Sequence, residues 1–179
     1  MMSGKKNVVF GFFYLVLTAL LGPYMITQYM GPLQHASQEY ASAVAELNQA
    51  GQGSDPAELE RVQTLTMLAL DKKFKADDPI DSIKGGPHSH GNLEALLNIA
   101  VGVVLGLLTV VPLWKEAISW LFIGGALLHS GMLYLAVVLG QGWAWAVLNT
   151  GIGPLMLLAG LLLAGAASVK GFSERAAER

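Results

Sequence analysis

Four apolar stretches, each long enough to cross a bilayer, constrain this 179-residue chain more than any other feature. They run from about Val8 to Met30, Leu93 to Trp114, Ala117 to Leu139 and Trp143 to Val169. About 20 apolar residues in a helix, rising about 1.5 Å each, span the hydrocarbon core. Lipid offers no partner to backbone N–H and C=O groups, so runs of this kind cross it as helices. The expected fold class is all-α: a four-transmembrane-helix bundle with an extramembrane helical hairpin between the first and second spans. Charge agrees, since only 13% of residues are charged, against roughly 25% in a soluble domain. The chain has no cysteine, which excludes disulfides, thiolate metal sites, cysteine nucleophiles and c-type haem attachment. A net charge of −2 gives no case for nucleic acid as a partner.

Four segments follow. Residues 1–30 form an N-terminal tail and first span, 31–92 an extracytoplasmic helical segment and linker, 93–171 a three-helix membrane core, and 172–179 a tail. Lys5 and Lys6 precede the first run. A cleavable leader is the alternative, and the length of the run argues for a retained span. Pro23 removes one backbone donor and frees the carbonyl of Ala19, which predicts a kink there. Gln34 to Ala50 has helical composition, and Gly51-Gln52-Gly53 breaks it. Ser54-Asp55-Pro56 opens a second polar helix to about Lys73. Asp77 to Pro87 reads as a turn-rich linker. Lys115-Glu116 and Gly140-Gln141-Gly142 read as the turns between spans. Lys5, Lys6, Lys115, Lys170, Arg175 and Arg179 then share one side, which the positive-inside rule places in the cytoplasm with both termini. A bacterial inner membrane is the expected location. Gly102 and Gly106, and Gly160 with Ala164, are small-residue pairs that let helices approach closely in lipid.

The stretch Pro87 to Asn98 carries most of the chemistry. Residues four apart share a helix face, so His90, Glu94 and Asn98 form a polar stripe. A carboxylate on a membrane helix is costly unless it faces a cavity, a partner or a ligand. Counting depth from the turns puts His129 level with Asn98 and Tyr134 near Glu94. Asn149 and Thr150 fall within a turn or two, and Tyr24 approaches from the first span. His88 and His90 sit at the outer rim. Structural readings stand beside these, as interhelical bonds for His129, an interface anchor for Tyr134 and solvated linker for the two rim histidines. Nitrogen and oxygen donors suit a divalent metal. His88 and His90 diverge by about 200° on a helix, so both reach one ion only through a turned backbone. One histidine can instead be the axial ligand of haem iron. His129 is a possible second ligand for a b-type cytochrome, although the depth count separates it from His90 by roughly 15 Å. A non-enzymatic membrane scaffold, with the hairpin as partner surface, is the remaining class.

From Pro87 to Gly171 the chain resembles the styrene oxide isomerase family, small four-span membrane proteins with a b-type haem. That family's His-Ser start matches His88-Ser89, and its Phe-Tyr-Leu region matches Leu133-Tyr134-Leu135. Its asparagine falls on Glu94, unless a two-residue shift brings His90 and Asn98 into play. Its aspartate falls on Ala126, and His129 is extra. The resemblance implies haem b held by His88 or His90, with the iron acting as a Lewis acid that opens an epoxide to an aldehyde. It implies Tyr134 as donor to the substrate oxygen, with Glu94 and Asn98 orienting. It also implies a homo-oligomer, a trimer, acting on a small apolar substrate within the lipid bilayer.

Overall fold

A computed structural model describes residues 4–53 and 55–177, with side chains described as far as Gly171. Ser54, the expected helix cap, and the side chains of the 172–179 tail lie outside the described residues. Among the described residues seven α-helices follow in order: α1 (Lys5–Ala19), α2 (Leu21–Ala50), α3 (Pro56–Ile83), α4 (Ser89–Leu107), α5 (Pro112–Ala126), α6 (Trp143–Leu148) and α7 (Ile152–Ala177). Wider π-helical segments lie at Lys84–His88, Leu127–Gly131 and Tyr134–Val138. Among the described residues there is no strand, and four helical stretches are long and apolar enough to cross a membrane. Phe13, Leu113 and Leu162 leave three-quarters or more of their surface exposed, as lipid-facing side chains do.

Residues 22–82 form one compact unit and the rest of the described chain another. In the first, α2 and α3 pair antiparallel. Lys72 bonds Glu39 (2.8 Å), the Thr66 hydroxyl donates to the carbonyl of Ala43 (3.2 Å), and Arg61 bonds Glu46 (3.1 Å). Arg61 also grips Glu58 in the first turn of α3, holding that carboxyl below its ordinary range. Val62 and Ala69 fill the seam. The linker expected over Asp77–Pro87 is helical instead: α3 runs through Pro79 to Ile83. A proline forfeits one N–H bond, but it need not end a helix whose neighbours keep helical dihedrals. The real interruption is Gly86 (φ −97°, ψ −109°). The residue before a proline is pushed out of the α region, and this ψ suits only glycine.

The second unit is built from two helix seams. Leu20 alone separates α1 from α2, so the break falls at Ala19, whose carbonyl Pro23 leaves without a donor. Asn7, Gly11, Tyr14 and Thr18 form the buried face of α1. Gly91, Ala95, Asn98 and Gly102 lie on the buried face of α4. A side chain on Gly11 would stand 2.7 Å from the Ala95 carbonyl oxygen, so the two backbones touch. The second seam joins α5 to α7, where Gly160 lies against the Phe122 ring and Gly153 against the main chain at Leu128 and His129. Val101, Leu105, Leu108, Ile118, Phe122, Leu157 and Ala167 make the apolar core between the seams.

One expected turn is displaced, whereas the turn at Gly140-Gln141-Gly142 stands, with Gly140 at φ +64°. The chain reverses at Leu108–Val111, and Lys115-Glu116 lie within α5. Val111 is extended (ψ 142°) because it precedes Pro112, whose fixed φ then starts α5. The two charges stitch helix ends: Lys115 donates to the Leu108 carbonyl (2.6 Å), and Glu116 pairs with Lys6. The last spanning stretch starts at Ile152 rather than Trp143, because Gly151 turns the chain with φ +67°.

Candidate functional site

The α4–α5 reversal sets which residues meet. Residues nearly equidistant from Thr109-Val110 face each other: Asn98 meets Phe122, Glu94 meets the turn after Ala126, and His90 meets His129. The His90 and His129 rings are in edge contact, with centroids 4.8 Å apart at 63°. The separation of roughly 15 Å expected along the axis is therefore overturned. The depth count had used Lys115-Glu116 as the turn, and moving it to Leu108–Val111 lifts His129 by more than a helical turn. In this arrangement the two rings are not spaced as the two axial ligands of one haem.

Glu94 is the centre of the cluster, with a side chain only 3% exposed. His129 Nδ1 lies 2.5 Å from one carboxylate oxygen, and the Ser130 hydroxyl donates to the other. Tyr14 reaches in from α1 to bond Ser130 (2.7 Å). In an α-helix, neighbours such as His129 and Ser130 point about 100° apart. The π-helical segment Leu127–Gly131 widens that turn, so both address one carboxylate. Such π insertions occur frequently at functional sites. His90, Glu94 and His129 each present a donor atom within 4.8 Å of the others, with Glu94 buried, His129 half-buried and His90 exposed.

His88 faces the other way. Its Nδ1 lies 3.0 Å from the Thr18 carbonyl oxygen on α1. The Thr18 hydroxyl in turn donates to Asn92 (2.7 Å). The divergence of His88 from His90 expected of helical spacing is thus observed. An imidazole whose Nδ1–H is held by a carbonyl keeps Nε2 free as a ligand, the usual arrangement behind metal-bound histidine.

The other expected site residues divide. Asn98 is fully buried and fully engaged: its amide donates to the carbonyls of Glu94 (3.0 Å) and Phe122 (3.2 Å), and its oxygen accepts from Asn7 (2.9 Å). Asn7 also donates to the Ser119 carbonyl (3.1 Å) and accepts from the Ser119 hydroxyl. These bonds tie α4 to α1 and α5. Tyr134 is half-buried at the start of its π segment, and its hydroxyl makes no hydrogen bond among the described residues. Asn149 and Thr150 belong to the turn before α7, where the Thr150 hydroxyl donates to Val147 (2.7 Å). Tyr24 packs edge-on against Tyr29 in the other unit. Tyr14, Thr18, Asn92 and Ser130 join the site unanticipated. The signal for two of them was the spacing of Asn7, Gly11, Tyr14 and Thr18, one stripe at helical period in the first run.

No protein-family model, curated protein or solved structure matches this chain.

Proposed function

We propose that the chain is a multi-pass inner-membrane protein of bacterial type, working as its resemblance to styrene oxide isomerases implies. Both termini are cytoplasmic, the α2–α3 hairpin is extramembrane, and the active form is a homo-oligomer, a trimer. It holds haem b through His88 and isomerises a small apolar oxygenated substrate such as an epoxide.

The observation that carries this reading is the Thr18 carbonyl behind His88 Nδ1. A carbonyl on Nδ1 leaves Nε2 to serve as the ligand, which is the donor chemistry that haem iron takes from a protein. When bound, the iron supplies a Lewis acid that polarises a substrate oxygen. The hydroxyl of Tyr134, without a hydrogen bond among the described residues, would donate to that same oxygen. The aspartate that the resemblance places at Ala126 is replaced from across the seam. Glu94 shares Ser130 with the Ala126 carbonyl, so a carboxylate stands at that level on α4 instead of α5.

The test is an absorption spectrum of the untagged protein in detergent, expressed with haem precursor. Wild type should carry one haem per chain, His88→Ala should lose the Soret band, and His90→Ala should keep it. A colourless wild type would sink the proposal, as would full haem occupancy in a His88→Ala protein that elutes as the wild type does.

A further inference from the structure

We propose that His90, Glu94 and His129 form a cation site of their own, selective for a divalent transition ion of the zinc type. This inference does not rest on the haem reading, because none of its three donors is His88, the proposed iron ligand. His90 and Glu94 are four residues apart on one helix, so their side chains stack. The facing segment supplies His129 at the same level. The three donor atoms lie within 4.8 Å of one another. Bonds of about 2.0–2.2 Å to one ion bring such donors to roughly 3.4 Å. The exposed His90 can make up most of that difference by a rotamer change, leaving both helices in place.

Donor chemistry sets the class of ion. Two imidazoles and a carboxylate suit zinc, cobalt, nickel or copper, whereas magnesium and calcium prefer all-oxygen shells. A carboxylate buried on a membrane helix is costly unless it faces a partner or a ligand, and a bound cation is such a ligand. The outer shell is already built. Ser130 holds the second oxygen of Glu94, and Tyr14 holds Ser130. Such partners fix ligand orientation and typically contribute 10–100-fold in affinity. The ion takes the place of the contact between His129 Nδ1 and the Glu94 carboxylate. Three protein donors leave the fourth position open on the exposed side at His90.

Equilibrium dialysis of the untagged, full-length protein against Zn2+, with metal analysis, tests this directly. Wild type should hold one Zn2+ per chain above the detergent blank. His90→Ala, whose side chain is exposed, should weaken binding at least tenfold without affecting folding. Glu94→Gln, which keeps the shape, should do the same. His88→Ala should bind as wild type does. Absence of stoichiometric Zn2+ in wild type, or wild-type affinity in His90→Ala, overturns the site. A protein that binds Zn2+ but is colourless refutes only the haem reading.

Discussion

Replacing Asn98 by leucine should loosen three spanning helices at once. The Asn98 carboxamide bonds Asn7 on α1 and the Phe122 carbonyl on α5 from its place on α4. Interhelical hydrogen bonds in membranes average about 0.6 kcal/mol and reach about 1.7. Two are lost, and a branched side chain must fit a site with no free surface. The expected loss is about 1–3 kcal/mol in detergent-denaturation titrations. Asn7→Leu should cost a similar amount, and the double variant should cost less than the two single losses combined, because both cut one network. The sequence alone gave Asn98 an orienting role at the site. That role would return if Asn98→Leu unfolded like wild type yet lost substrate turnover.

The apolar runs made the membrane class legible, because their length and low charge leave lipid as the only suitable solvent. The polar stripe on α4 was legible too, but its partners were not. His129 was read at the wrong depth because Lys115-Glu116 looked like a turn. Charged pairs do mark turns between spans, yet here Lys115 caps the end of α4 and Glu116 reaches Lys6. Val111-Pro112 was the better signal, since a residue before proline must leave the helix. The linker before Pro87 failed for the opposite reason. Pro79 and the neighbouring aspartates suggested a turn, while only Gly86 has dihedrals that stop a helix. The π-helical turn at Leu127–Gly131 has no sequence mark that periodicity could have caught. Only the fold shows that His129 and Ser130 share one carboxylate.

Gly102 and Gly106 form one small-residue motif, yet their substitution should have opposite results. A side-chain carbon on Gly102 would lie 2.7 Å from the Gly4 carbonyl oxygen, 2.7 Å from Val8 Cγ2 and 3.0 Å from Val8 N. Two of those neighbours are backbone, so relief requires α1 to move off α4. Gly106, one turn further along, has nothing within 4 Å. Gly102→Val should therefore cost at least the about 1–3 kcal/mol typical of overpacking. It should also lower the zinc and haem content of the protein, because Tyr14 and Thr18 ride on the same seam. Gly106→Val should stay within about 0.5 kcal/mol of wild type, as exposed substitutions usually do. If Gly106 instead served contact with a second copy, its valine variant would fold normally but elute as a smaller species on gel filtration. Equal, large losses of stability for both variants would mean that the two glycines face one helix within the chain, and the α1–α4 seam would have to be redrawn.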